Sequence, residues 1–498
     1  MSHVPSSPDW LAAQSAANAS NPFLYLEHEH LTFGDVEAMV GHACLFLQAA
    51  VATVKGHNAA IWNTDPKLTV ILLLACARLR WPATVLAPAL PSAVLARHIA
   101  QVPLTLLLFG TGKGPDEAQS RTFDGAVEHL AVEIPEAGSN SSAPVWSQPN
   151  TAMIGNPDLE LTQGWVFTSG TTGTPKAITV TFGNLLWSTA ASSYRLGYRI
   201  SDCWLHCMPL HHIGGLALLF RSLIFGFSLC MRSRFDQHEV RNFMEQGVVT
   251  HAALVPTMLA RLLDANLDLT APGQRFRTVL AGGAKVAESL RSECKERGLD
   301  VVASYGMTES CSHIAAERPG RASRAGEGPA LRHAGIQIRS IDGEQLPAGH
   351  QGTIWIKGPQ LSLSCELDSQ GWFRTGDWGL LDDNRSVHVL DRQDGVFVSG
   401  GENVTSRHVA ESLMELPGIE HAWVTGVPDR EWGHRVVAVM QPSANRVPDE
   451  HALRRRLRTR LAVHEVPKQF VWVESLPRTE LGKVDAEAAR KLVEELQR

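Results

Sequence analysis

The feature that most restricts what this chain can fold into is a junction that recurs between Trp165 and Arg392: a short apolar run ending in a loop of small and hydroxyl residues. It occurs as "WVFT" before "SGTTG", as "TVLAGGA", as "VVASYG" and as "WFRTGD". Such runs read as buried strands, and helical stretches such as "VPTMLARLLDA" fall between them. Strands alternating with helices predict α/β layers with a ligand site along the loop edge. Between Gly335 and Lys357 the pattern changes to period two in "GIQIRSIDGEQL" and "GTIWIK", which predicts a β-rich subdomain. Beyond "DRQDG" the chain reads as a small α+β unit of its own. Its 498 residues exceed the ~250–300 that one core serves. Two domains are therefore expected, 1–391 and 392–498.

Local signals refine this. "LTFGDVEAMV" predicts a helix opened by Thr32, with Asp35 in a weaker form of the capping box. The most apolar run, Leu68 to Ala77, is far shorter than the ~20 residues that span a bilayer. It reads as a buried strand or helix, so no integral membrane segment is expected. "MSHVPSSPDW" lacks the basic and apolar regions of a secretory signal. Eight scattered cysteines suit reduced thiols in the cytoplasm. A net charge of -6 argues against a nucleic-acid partner. "CWLHCMPLHH" groups Cys203, His206, Cys207, His211 and His212, but Pro209 breaks any helix aligning them and no second ligand pair follows at a zinc-finger spacing. No metal centre is expected there.

The densest chemistry lies in "FTSGTTGTPK", Phe167 to Lys176. Gly170 and Gly173 permit backbone angles that aim several N–H groups into one concavity, which favours an anion. Thr168, Ser169, Thr171, Thr172 and Thr174 add hydroxyls, and Lys176 adds a point charge. A polyphosphate suits such a loop. A Walker loop needs Gly-Lys-Ser/Thr before a helix, whereas Pro175 precedes Lys176 here and "KAITVT" reads as a strand. The phosphates would lie against a turn between strands; the alternative is a polar surface hairpin.

"TSGTTGTPK" resembles the phosphate loop of the acyl-adenylate-forming superfamily of acyl-CoA ligases, adenylation domains and luciferases. "SYGMTES", "RTGDWG", "DRQDGVFVSGGENV" and "PRTELGKVD" follow in that family's order. The resemblance implies a large N-terminal domain, a small mobile C-terminal domain, and a reaction of a carboxylic acid with ATP, Mg²⁺ and CoA. Two anions must meet, so donors have to offset charge. The resemblance assigns Thr308 to phosphate and Glu309 to Mg²⁺. It lays Gly283 and Ala284 along the adenine, with Ser304 in the same nucleotide site and Tyr305 stacking opposite. Asp377 would accept from the ribose hydroxyls, and Arg392 would hold ribose or phosphate. Lys483 would bridge the attacking carboxylate and the α-phosphate. Asp394 matches the hinge about which the C-terminal domain rotates, exchanging Lys483 for Ser399, Gly400 and Gly401, where glycines leave room for the pantetheine arm. Gln393 stands where the family commonly has Lys, which removes one phosphate contact. "RRRLRTR" (Arg454 to Arg460) reads as a solvated helix face or a docking patch for the 3′-phosphate of CoA. A homodimer is compatible with the sequence, which does not fix oligomeric state.

"CMPLHHIGGLALLFRSLIFGF" resembles the matching region of o-succinylbenzoate–CoA ligases of menaquinone and phylloquinone synthesis. Those carry Pro-x-aromatic-His-x-x-Gly and a basic residue nine positions after the His. Here His212 fits the His, Arg221 lies nine residues on, and His211 departs from the aromatic. The resemblance gives His212 a catalytic and acid-contacting role and sets Gly306 beside the acid. A satisfied core histidine is the other reading of His212. Arg221 is the only Asp, Glu, Lys or Arg between Asp202 and Arg232, so it must snorkel to water or find an anion. The second carboxylate of a diacid would be such an anion. Another aryl or medium-chain acid, a carrier-protein acceptor, and a non-catalytic nucleotide-binding protein on the same fold are the alternatives. Lys483, Glu309 and Arg392 together argue against the last.

Overall fold

The computed structural model describes residues 8–51, 57–62, 65–87, 92–123, 127–132, 158–168, 176–320, 326–399, 402–429, 432–443, 447–479 and 482–495. The chain divides into two compact units, Met1–Gly335 with Lys357–Glu366, and Ile336–Ile356 with Leu367–Arg498.

The first unit is built on an eight-stranded sheet. Its spatial order is Ser312–Ala316, Val301–Met307, Thr278–Ala281, His251–Leu254, Cys203–His206, Ser228–Met231, Pro22–Tyr25 and His30–Thr32. The strands from Val301–Met307 through Pro22–Tyr25 pair in parallel, and only the two outermost are antiparallel. Inner strands such as "CWLH" and "TVLA" are buried at every position, as expected where both faces of a parallel sheet are covered. A second, four-stranded parallel sheet holds Ala83–Leu86, Ala59–Trp62, Leu106–Gly110 and Glu128–Val132.

Leu68 to Ala77 lies in a helix, Pro66–Leu79, rather than a strand. Asp65 caps it by accepting from the Lys67 and Leu68 amides, and Pro66 stands in its first turn. The Thr32–Asp35 capping box forms, with Thr32 N donating to Asp35 Oδ2 (2.9 Å) and Asp35 N to Thr32 Oγ1 (3.1 Å). No helix of the described residues is long and apolar enough to cross a membrane.

The elements that carry candidate site residues are, in chain order, strands β1 (Thr162–Thr168) and β2 (Lys176–Thr181), helix α1 (Phe182–Leu196), strand β3 (Cys203–His206), helix α2 (Ile213–Phe225), strand β4 (Thr278–Ala281), helix α3 (Glu288–Glu296), and strands β5 (Val301–Met307) and β6 (Ser312–Ala316). The C-terminal ends of β3, β4 and β5 open on one edge of the parallel sheet, where open α/β sheets bind their ligands.

The second unit has the predicted period-two strands Gly335–Arg339 and Gly352–Lys357, in a four-stranded sheet with β7 (Phe373–Leu381) and β8 (Val387–Arg392). A five-stranded sheet follows, containing Val396–Ser399, Glu402–Thr405, Ile419–Asp429, Gly433–Pro442 and Gln469–Trp472, with helix α4 (Ser406–Met414) over it.

Candidate active site

The phosphate-loop segment closes an antiparallel hairpin. Strands β1 and β2 pair from Thr162↔Thr181 to Thr168↔Lys176. Ser169, Gly170, Thr171, Thr172 and Gly173 lie outside the described residues, so the structure speaks only for the ends of the loop. The hairpin is pressed against its neighbours. A β-carbon at Gly164 would fall 1.7 Å from Ala83 O, Thr84 Oγ1 donates to Trp165 O at 2.7 Å, and His98 stacks on Phe167 at 4.3 Å. Lys176 is exposed at the mouth.

Ser362 connects this hairpin to the turn bearing Glu309. Its hydroxyl donates to Thr179 O on β2 (2.6 Å), and its amide donates to Glu309 O (2.8 Å). Ser364 Oγ accepts from Thr179 N (2.9 Å). The strand behind the phosphate loop and the backbone of the expected Mg²⁺ ligand thus share one buried serine.

The end of β4 leads into Gly283, whose φ of +77° is left-handed and suits glycine there. Ala284 follows and is exposed. Ser304 is buried and donates from Oγ to Ala281 O (2.9 Å), joining β5 to β4. Tyr305 is buried. Thr308 and Glu309 stand in a short 3₁₀ turn, Thr308–Ser310, and are partly exposed. Ser310 is buried and its hydroxyl bonds Met307 O (3.1 Å) and Ser312 O (2.6 Å). After the turn Cys311 (φ +50°) and Ser312 (φ +88°) are both left-handed without being glycine. Each such residue costs of order 1–3 kcal/mol and persists only where its surroundings hold it.

Gly306 has a sharper constraint. A β-carbon there would lie 2.2 Å from Ser312 O and 2.4 Å from His313 Cα, so strands β5 and β6 close only over a bare α-carbon.

Of the residues expected at the acid, His212 is the N-cap residue of α2, with extended backbone and no side-chain cap bond. His211 packs against it at 4.3 Å between ring centres. Burial, then the neighbouring His212 and His98, push the His211 pKa down to about 3. His206 is buried and bonds Gly215 O at 2.9 Å. Among the described residues no group of three His, Cys, Asp or Glu is placed to hold a metal ion.

Arg221 neither snorkels nor meets a carboxylate. It is 1% exposed on α2, whose central turns are buried all round, so no water edge lies within its reach. Its guanidinium contacts Ser188 Oγ on α1 (3.4 Å) and His313 Nδ1 on β6 (3.3 Å). Among the described residues no carboxylate stands within ion-pair distance. Ser188 in turn donates to Cys311 O at 2.6 Å. Neither Ser188 nor His313 was flagged by the sequence.

In the second unit Asp377 and Arg392 are cross-strand neighbours of β7 and β8 and form an ion pair at 2.9 Å. Asp377 is buried, and its amide donates to Thr375 Oγ1 (3.0 Å). Asp391 accepts from the Arg407 amide (2.7 Å), capping α4. The backbone of Asp394 lies in a 3₁₀ turn, Gln393–Gly395, and its side chain lies outside the described residues. Ser399 is buried, while Gly400 and Gly401 lie outside the described residues. Lys483 keeps contact with solvent. The protein packed around it, and then Arg407, lower its pKa, while Asp377 draws it back up.

A family model described as AMP-binding enzyme matches residues 11–364, and one described as AMP-binding enzyme C-terminal domain matches residues 408–483. The chain belongs to the AMP-binding enzyme family. Among related AMP-binding enzymes, the 2-succinylbenzoate–CoA ligase of Geobacillus kaustophilus is 36% identical over 346 residues, 68% of this chain and 70% of that one. The 2-succinylbenzoate–CoA ligase of Bacillus mycoides is 34% identical over 507 residues, 98% of this chain and 99% of the other. The o-succinylbenzoate CoA synthetase of Bacillus subtilis, solved with the acyl-adenylate OSB-AMP, superposes with a TM-score of 0.85 at 28% identity, covering 98% of this chain and 99% of that one. ATP-bound MatB from Rhodopseudomonas palustris reaches a TM-score of 0.83 at 22% identity over 98% and 99% of the two chains, a likeness of fold alone. This AMP-binding enzyme is an adenylate-forming acyl-CoA ligase, an acid–thiol ligase of the AMP-forming type.

Proposed function

We propose that the acid is o-succinylbenzoate and the product its CoA thioester. The succinyl carboxylate attacks the α-phosphorus of ATP, the bond to the β-phosphate oxygen breaks, and pyrophosphate leaves. The thiol of CoA then attacks the acyl carbon of the mixed anhydride and AMP leaves. Glu309 and Thr308 offer hard oxygens on a pinned, partly open turn that fits Mg²⁺, which would neutralise phosphate charge. Thr168, Lys176 and the hydroxyls and amides of residues 169–173 would cradle the phosphates. Gly283, Ala284, Ser304 and Tyr305 would hold the adenine, and Asp377 and Arg392 the ribose. Lys483 would join the attacking carboxylate to the α-phosphate. The division of domains at Arg392, the hinge at Asp394 and the thiol path past Ser399, Gly400 and Gly401 belong to the same reading.

The observation that carries the choice of acid is Arg221: a guanidinium 1% exposed in an apolar helix, with only a hydroxyl and an imidazole for company among the described residues. A buried cation with no internal anion is costly. A second substrate carboxylate would supply the missing charge, and His212 and Gly306 would line the same acid. The relatives named as 2-succinylbenzoate–CoA ligases support the assignment. Pyrophosphate release by the full chain, with ATP, Mg²⁺ and CoA, tests it over a panel of acids. The highest kcat/KM is expected with o-succinylbenzoate. Faster turnover of benzoate or octanoate would remove this substrate, and no turnover with any acid would remove the whole reading.

A further inference from the structure

Three pieces of chain far apart in sequence meet at residues 361–365. Strand β2 pairs only with β1 in a two-stranded sheet, and side chains of this segment serve its other edge. Ser362 Oγ donates to Thr179 O (2.6 Å), and Ser364 Oγ accepts from Thr179 N (2.9 Å). Asn184 Nδ2, in the first turn of α1 directly after β2, donates to Leu361 O (2.8 Å). The same segment also holds the turn of Glu309. The Ser362 amide donates to Glu309 O (2.8 Å), and Cys365 Sγ donates to the same oxygen (3.7 Å). Burial, then the Glu309 charge, push the Cys365 pKa up to about 12, so the sulfur keeps the hydrogen it donates.

Ser362 is the residue common to both attachments. It is 5% exposed, and its hydroxyl also accepts from the Ser364 amide (3.0 Å), so it is held from both sides. Its side chain grips the strand behind the phosphate loop while its main chain grips the turn of the expected metal ligand. Glu309 and the phosphates would share one Mg²⁺, an ion that demands near-ideal octahedral geometry. The spacing between the two elements therefore has to be kept within narrow limits. Hydrogen bonds are directional and fix such a spacing more closely than apolar contact, which is not.

We propose that Ser362 is a positioning residue for adenylate formation: by tying Thr179 of β2 to the backbone of Glu309, it sets the distance between the metal ligand and the phosphate-binding hairpin. This rests on the reading of Glu309 as that ligand. The test compares two nucleotides, titrated into the full chain by calorimetry. One is the Mg²⁺ complex of α,β-methylene-ATP, which carries the triphosphate and cannot release pyrophosphate. The other is AMP, which lacks the metal and the outer phosphates. Ser362→Ala keeps the amide on Glu309 and loses the bond to β2. It should raise the Kd of the triphosphate complex about 10-fold and that of AMP less than about 2-fold. Pyrophosphate release without CoA should lose a similar factor in kcat/KM for Mg²⁺–ATP, while conversion of a supplied acyl-adenylate with CoA stays within about 2-fold. Ser362→Thr keeps a hydroxyl and should recover most of the triphosphate affinity. Equal losses for both nucleotides, or no loss for either, would overturn the proposal. Should Ser362→Ala not fold, Ser364→Ala removes the acceptor of Thr179 N from an exposed position. A selective weakening of about 3-fold for the triphosphate complex is then expected, and even treatment of the two nucleotides overturns the role. Glu309→Gln checks the reading beneath: if Mg²⁺ strengthens α,β-methylene-ATP binding equally in that variant and in the wild type, it is the assignment of Glu309 that fails.

Discussion

Arg221, buried, and Arg291, largely shielded, stand on helices of the same unit, and their surroundings are opposite. Arg291, on α3, donates from one nitrogen to both oxygens of Glu317 (3.0 and 2.9 Å) and from another to Gly326 O (2.8 Å). Glu317, 2% exposed, also accepts from the Ala303 amide (3.1 Å). That charge is fully used in holding β5. Among the described residues, Arg221 has neutral partners only. The contrast separates two settings of one side chain: Arg291 is neutralised within the fold, and Arg221, left with neutral neighbours among the described residues, is the one proposed to meet a substrate's charge.

The comparison can be broken most forcibly at Glu317. Glu317→Ala strands Arg291 as a lone buried charge and should cost about 3–5 kcal/mol, read as the shift of the denaturant midpoint. An unchanged midpoint would mean that Arg291 is no scaffold. Arg221→Met sharpens the other side. It should cost about 2–3 kcal/mol in kcat/KM for the diacid, as expected of a charged hydrogen bond, without lowering the unfolding free energy. A stability loss like that of Glu317→Ala would return Arg221 to the scaffold. The smallest effect concerns pH. Burial, then the positive charges of Arg221 and Arg195, depress the pKa of His313, so below about 6.5 the unfolded chain takes up a proton that the folded chain refuses. Stability present above that pH is therefore lost on acidification, at about 1.4 kcal/mol per pH unit for one such group. His313→Gln should flatten the slope between pH 6.5 and 5 by that amount. Urea unfolding of both proteins at several pH values measures it, and identical slopes would mean that the imidazole is not held neutral beside Arg221.

Much of the architecture was legible because it is local. Strands ending in small-residue loops gave away the α/β layers, and Thr32 with Asp35 marked a helix start that the structure reproduces to the hydrogen bond. Periodicity could not decide whether Leu68 to Ala77 was strand or helix, since a segment buried on all sides has no alternation to read. The capping pair Asp65 and Pro66 decides it. The candidate site was legible only where motifs are contiguous. Ser362 reaches Thr179 across 183 positions of sequence, and Arg221 meets His313 across 92. Topology, not spacing, makes such pairs. The same holds for Asp377 and Arg392, which were expected to act separately on a nucleotide and which strand register makes partners of each other.

Gly306 has a consequence for anyone who would retool the enzyme. With Ser312 O and His313 Cα occupying the place of its β-carbon, the surface at Gly306, proposed to line the acid, is peptide backbone and cannot be widened, narrowed or recharged by exchanging that one amino acid. If the acid lies there as proposed, new substrate preferences would have to be written on other residues, such as those of α2, against a surface that stays the same whichever acid is chosen.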